Sequence, residues 1–249
     1  MLTNPTMNKL QEMRFYGMAK AYAEQMQTDV ENLSFDERFA LLVDREMLDR
    51  ESRRLKTRLR KAKLRQAAAM EDIDYKQPRG LNKSLLLKLS DCKWIKEHHN
   101  ILIVGPTGTG KTYLACALAH KACLQGFSSH YTRVSRLMPE LIIARGDGSF
   151  SKRLANLAKT DVLVLDDWGL ITLAAEHRRD LLEILDDRHG RKSTIVTSQL
   201  PIKLWHEAIN DSTLADAILD RLIHNAYRIE LKGESMRKIK STLTSGGDK

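Results

Sequence analysis

The eight residues Gly105-Pro106-Thr107-Gly108-Thr109-Gly110-Lys111-Thr112 fill the pattern G-x-x-x-x-G-K-[ST] completely. Glycines at these spacings let backbone N–H groups wrap a phosphate without Cβ clashes, and a helix beginning at the loop's end adds its positive dipole. Lys111 would hold the β- and γ-phosphates and Thr112 would ligate Mg²⁺, with Gly105 through Thr112 and the next residue, Tyr113, lining the nucleotide. A second run, Val162-Leu163-Val164-Leu165-Asp166-Asp167, is aliphatic and ends in two carboxylates. Asp166 would hold Mg²⁺ through water, and Asp167 would orient and polarise water attacking the γ-phosphate; the alternative for such a pair is a loop cap. A third run, Thr194 to Thr197, ends in Ser198-Gln199, which either contact the γ-phosphate or simply cap the strand. Arg221, in Asp220-Arg221-Leu222, and Arg237, in Gly233-Glu234-Ser235-Met236-Arg237, could stabilise transition-state charge; by spacing alone the reading as surface salt-bridge partners comes first for both.

These residues need elements to position them. Short β-branched runs at 101–104, 162–165 and 194–197 alternate with helical windows at 111–125, 136–145 and 176–189, and Tyr227–Leu231 is strand-like. Alternation of this kind predicts α/β architecture with a mostly parallel sheet. Everything before Lys76-Gln77-Pro78-Arg79-Gly80 reads as helix. Apolar spacing predicts one short helix over 8–26. Ser34-Phe35-Asp36-Glu37 is a capping box, and a long helix should run from it to about Met70, with Phe39, Leu42, Val43 and Met47 on one stripe. The expected organisation is a helical N-terminal domain at 1–75, a linker and lead-in at 76–95, the nucleotide domain at 96–241 and a frayed tail at 242–249.

Within the long helix, residues 52–65 (SRRLKTRLRKAKLR) hold eight Lys or Arg and no acid. Like charges at i, i+4 repel, so a polyanion is the natural counterweight, Arg53, Arg54, Lys56, Arg58, Arg60 and Lys61 being the candidate contacts; a solvated basic face is the alternative. The whole chain carries 41 Lys+Arg against 32 Asp+Glu, a net charge of +9 over 249 residues, which favours the same partner class. A second cationic set, Arg133, Arg136, Arg145, Lys152 and Arg153, falls between the phosphate loop and Asp166. No base-reading motif is evident, and non-specific phosphate contact needs only such cations. The longest aliphatic runs are far short of the roughly twenty residues that span a bilayer. Met1 to Pro5 lack the pattern of a secretory signal. Three cysteines, Cys92, Cys116 and Cys123, fit neither a disulfide framework nor a metal clip, which leads to the expectation of a cytoplasmic protein. Cys116 and Cys123, seven apart on one helix, should face the core.

Residues 84–249 resemble the AAA+ ATPases of the initiator and helicase-loader clade, most nearly the IstB-type helpers of insertion-sequence transposases and, less closely, DnaC-type loaders. The resemblance rests on the stretch around Leu10–Met26, the phosphate loop, Ala144 to Ser149, Leu165-Asp166-Asp167-Trp168-Gly169, Thr197-Ser198-Gln199, Asp220-Arg221-Leu222 and Gly233 to Arg237. It implies ATP as the nucleotide, Arg221 as an arginine finger acting on a neighbouring subunit, Arg237 as a sensor arginine in cis, and Ser198 and Gln199 at the first sensor, where the family often has Asn in place of Gln199. Asp167 stands where most AAA+ proteins carry Glu, which implies slow, switch-like hydrolysis. The resemblance further implies non-specific duplex DNA binding, homo-oligomerisation with ATP and DNA, and a cognate transposase as partner. The alternative is a replicative helicase loader.

Overall fold

The structure, a computed structural model, describes residues 5–28 and 32–239, without the side chains of Arg237 and Ile239. The tail at 242–249 lies outside the described residues. Contacts divide the chain into two compact units, 1–57 and 58–249. The division falls earlier than the boundary expected at residue 75, because residues 64–81 contribute Leu64, Ala68, Met70, Ile73, Tyr75 and Leu81 to the hydrophobic core of the second unit.

In the N-terminal unit the single helix expected over 8–26 is two helices, α1 (Pro5–Glu12) and α2 (Tyr16–Gln25). The break lies at Arg14, whose φ of 61° is left-handed; Phe15 N then donates back to Leu10 O at 2.8 Å, satisfying a terminal carbonyl. Helix α3 (Phe35–Ala62) starts at the capping box as expected: Glu37 accepts from Ser34 N at 2.8 Å and Glu37 N donates to Ser34 Oγ at 3.3 Å. It stops at Lys63, φ 50°, rather than running to Met70. Within this unit, Gly17 lets α2 approach α3 closely, since a Cβ there would stand 2.7 Å from Arg45 O. The buried Glu46 carboxylate accepts from Gly17 N and Met18 N at 2.7 and 3.1 Å. It thereby satisfies first-turn donors of α2 that phenylalanine, as N-cap, cannot. Phe39, Val43 and Met47 are exposed on α3.

The second unit is a five-stranded, wholly parallel sheet in the order β2-β3-β4-β1-β5, built of β1 (Asn100–Val104), β2 (Ser129–Arg133), β3 (Val162–Trp168), β4 (Ser193–Ser198) and β5 (Ala226–Glu230). β1 and β4 are buried at every position, as befits parallel strands covered on both faces. One face carries α6 (Lys111–Leu124) with α4 (Lys83–Ser90) and α5 (Lys93–Lys96). The other packs α7 (Val134–Gly146), α8 (Phe150–Lys159), α9 (Ala175–Arg188), α10 (Trp205–Ile209) and α11 (Ser212–Ile223). A short α12 (Met236–Ile239) follows β5. Among the elements that escaped sequence reasoning are β2, α8 and α4. β2 is polar (SHYTR) and lies at the sheet edge, so it shows no aliphatic run. Helix α8 buries only Leu154 and Leu157 among polar residues. Helix α4, inside the expected linker, starts where the Asn82 side chain accepts from Leu85 N. Cys116 and Cys123 are fully buried as expected, and the three tryptophans are core residues.

Candidate functional site

The phosphate loop turns from the end of β1 into α6. Gly105 has φ 151° and its Cα faces the Leu231 carbonyl closely enough that a Cβ could not fit. Gly110, at φ 99°, would place a Cβ 2.8 Å from the Arg79 guanidinium. Gly105 is therefore required for backbone freedom and for space, and Gly110 for its backbone conformation. Lys111 Nζ donates to Gly105 O at 2.7 Å and Pro106 O at 2.8 Å, so its ammonium is held at the loop it is to serve. Thr112, one residue on, donates to Asp166 at 3.0 Å. The loop therefore meets the end of β3, as the two motifs predict.

Asp166 is fully buried and saturated with partners. Its oxygens accept from Thr112, from the Tyr131 hydroxyl at 2.5 Å and from the Thr197 hydroxyl, and Arg65 stands 3.6 Å away. Asp167 has a different environment. The pairing of β3 with β4 is bulged between Leu165 and Trp168, and Asp167 takes φ 62°. A bulge re-aims a side chain that strict alternation would send to the far face. Asp167 thus enters the cavity beside Arg133, 3.6 Å from its guanidinium. Burial pushes its carboxyl above the ordinary range and the neighbouring Asp166 charge pushes it further, while Arg133, Arg65 and Lys111 pull it back. The Tyr131 phenol is likewise pushed up, by burial first and then by its bond to Asp166.

Around these groups lies a cavity of about 510 Å³, bounded by Thr107, Gly108, Gly110, Lys111, Thr112 and Tyr113 on the loop side. Its opposite wall comes from residues 65–81, including Ile73, Asp74 and Arg79, and from Leu231 and Met236. Arg79 is buried and clasps this wall to the loop, donating to Thr109 O at 3.1 Å and Asp74 O at 2.5 Å. Met236 N donates to Gly108 O at 2.9 Å, bringing the Gly233–Arg237 segment onto the loop; the Arg237 side chain lies outside the described residues. Thr107 donates to Gln199 at 2.6 Å, which sets that amide at the cavity. Ser198, expected beside it, is buried and faces away. Its hydroxyl donates to Trp168 O and accepts from Leu200 N, the capping role, because strand alternation presents Thr197 and not Ser198 to Asp166.

Arg221 lies at the other end of the sheet. The Asn100 side chain, at the start of β1, donates to Arg221 O at 2.9 Å, whereas the phosphate loop follows the end of β1. At about 3.3 Å per residue, a strand's length separates the two. Its guanidinium rests on Asp186 at 3.1 Å and Asp220 at 3.4 Å. Of the expected DNA contacts, Arg54, Lys56, Arg60, Lys61, Arg136 and Lys152 are exposed. Arg53 pairs with Asp49 and Glu46, and Arg58 donates to Cys123 O at the end of α6. Arg145 meets Asp180 and covers the Phe150 ring, while Arg153 pairs with Glu140. Sequence reasoning missed Tyr131 and Arg79, which nothing local marks, placed Arg65 only in the basic run, and quoted Thr197 only as the start of Thr197-Ser198-Gln199 without giving it a role.

The chemistry of the set suits a nucleoside triphosphate with a divalent cation. Thr112 and Asp166 offer hard oxygen donors in contact with each other, the donor type that Mg²⁺ takes. Comparison with known proteins agrees as to the nucleotide. The sequence matches the family described as IstB-like ATP binding protein over residues 8–244. A protein of Sinorhizobium fredii named as insertion sequence ATP-binding protein y4pL is 52% identical, covering 96% of this chain and 98% of its own. Among solved structures, DnaI superposes with a TM-score of 0.57 at 25% identity over 68% of this chain and 92% of its own. The DnaC helicase loader gives 0.56 at 23% identity over 66% and 97%, a likeness of fold. With a family match over residues 8–244 and a relative 52% identical along nearly its whole length, the chain belongs to the IstB-like ATP binding proteins.

Proposed function

We propose that this protein is an ATP-hydrolysing switch that assembles as a homo-oligomer on duplex DNA, without sequence preference, and assists the transposase of an insertion sequence. The observation that carries the enzymatic part is the convergence of Lys111, Thr112 and Asp167 on one cavity, with the buried Asp166 bonded to Thr112 behind its wall. Lys111, the loop amides and Tyr113 bind ATP; Thr112 and Asp166 hold Mg²⁺, which neutralises charge on the phosphates. Asp167, aimed into the cavity by the β3 bulge, accepts a proton from the attacking water. Gln199, fixed to Thr107, senses the terminal phosphate, and Arg237 acts as a second sensor from the segment anchored on Gly108. Arg221, a sheet's length from its own nucleotide, serves as the finger of a neighbouring subunit. The exposed cations Arg54, Lys56, Arg60, Lys61, Arg136 and Lys152 supply the DNA contacts. Among the described residues no helix is long and apolar enough to cross a membrane, and we place the work in the cytoplasm.

The test is a pair of variants assayed for nucleotide binding and for phosphate release. Lys111→Ala is expected to lose ATP binding. Asp167→Asn is expected to keep it while hydrolysis falls about 100-fold or more, the usual worth of a general base. Loss of ATP binding in Asp167→Asn would remove the role given to that residue. The other reading, from the resemblance of the sequence to DnaC-type loaders, is a replicative helicase loader with an ATP timer.

A further inference from the structure

Asp166 is a fully buried carboxylate facing the guanidinium of Arg65 at 3.6 Å. The same carboxylate accepts from the Tyr131 hydroxyl at 2.5 Å. A buried charge without a counter-charge is costly, and the Arg65 side chain, 37% exposed, reaches in from solvent to supply one. It comes from the first residues after α3, where Lys63 turns the chain at φ 50° and Leu64 and Ala68 pack on the core. Its backbone is thus anchored while its charged end reaches over the carboxylate.

We propose that Arg65 is a resident counter-cation for Asp166 that occupies the electrostatic place of the divalent metal and yields it when metal and nucleotide load. The proposal rests on the reading of Thr112 and Asp166 as the metal's holders. Two cations beside one carboxylate repel each other, so the guanidinium and the metal compete for Asp166. Arg65 thereby weakens metal-dependent nucleotide binding while stabilising the empty site.

The experiment compares dissociation constants of a fluorescent, non-hydrolysable ATP analogue in Mg²⁺ and in EDTA for the full chain and the variants Arg65→Gln, Arg65→Lys and Asp166→Asn. In Arg65→Gln the Mg²⁺ constant should tighten about fivefold, the low end of typical couplings because an exposed guanidinium is screened, with the EDTA constant unchanged. Arg65→Lys, which keeps the charge, should behave as the parent. An unchanged or weaker Mg²⁺ constant in Arg65→Gln overturns the proposal. So does a change confined to EDTA, which would make Arg65 a ligand of the nucleotide itself. Arg65→Met serves as the neutral variant if the glutamine form does not fold. Asp166→Asn distinguishes the two layers of the reading. If it abolishes the Mg²⁺ dependence while Arg65→Gln has no effect, only the counter-cation role fails; if it leaves the Mg²⁺ dependence intact, the metal assignment fails with it.

Discussion

Asp166 and Asp167 are neighbours in sequence with opposite surroundings, and the difference suits the different work proposed for each. Asp166 is enclosed by three hydroxyls and a guanidinium, a setting for a fixed, charged ligand. Asp167 stands in the cavity with its carboxyl pushed above the ordinary range, chiefly by burial, and held down in part by Arg133. A base must be ionised to accept a proton, so hydrolysis should fall with decreasing pH starting above the usual carboxylate range. Arg133→Gln removes a charge that favours ionisation, so the acid limb of the pH–rate profile should move further up in that variant. A limb that stays in place, or moves down, would contradict the pairing seen here. The residues of the two motifs were legible in the sequence because their chemistry is local: a loop that wraps phosphate needs glycines at fixed spacing, and carboxylates at a strand's end follow an aliphatic run. Tyr131, Thr197 and Arg65 were not, because they reach Asp166 from three separate segments and each is an unremarkable residue in its own stretch. Arg133 was read as a DNA contact from its charge; only the register of β2 on β3, which sets Arg133 opposite Asp166, brings it to the cavity wall.

At the scale of elements, the fold class followed from alternating aliphatic runs and helical windows, and the parallel sheet has that form. The misjudged boundaries share a cause. Arg14 and Lys63 end helices in left-handed conformations that neither glycine nor asparagine announces, so periodicity ran past both. Burial of charge was equally hidden. Arg188, at the end of α9, is 1% exposed and donates to Leu157 O at 2.5 Å and Thr160 O at 2.7 Å, with further bonds to Ser193 O and Thr194. It ties α8 and the start of β4 to α9, and burial depresses its pKa to about 9. Arg188→Leu would strand those carbonyls, and chemical denaturation should show a loss of about 3 kcal/mol, since each buried unsatisfied group costs roughly 1–3 kcal/mol. Little or no loss would mean the carbonyls find other partners. In the N-terminal unit, Gly17→Ala puts a methyl against Arg45 O and the Glu46 Cα. Overpacking of this kind costs roughly 1–3 kcal/mol, so limited proteolysis should cut the α1–α3 region faster in that variant while ATP binding in the second unit is retained.

The whole molecule joins an ATP site to a strongly basic surface, with a net charge of +9. Several cations that composition offers to DNA are engaged within the protein, among them Arg53 with Asp49 and Arg58 with Cys123 O. The exposed remainder still suits phosphate. If about five phosphates are contacted, the affinity for duplex DNA should fall with a log–log salt slope near −4.5, and a flat response would remove the electrostatic basis of binding. The central claim concerns the coupling of that surface to the nucleotide and to neighbouring copies. It is tested most directly by sedimentation of the protein with random-sequence duplex or single-stranded DNA, in ATP and in ADP. The account predicts large complexes on duplex DNA with ATP alone, and their loss in Arg221→Ala, which removes the finger proposed to act on a neighbouring subunit. Preference for single strands, or no DNA complex in either nucleotide, would contradict it and favour the helicase loader.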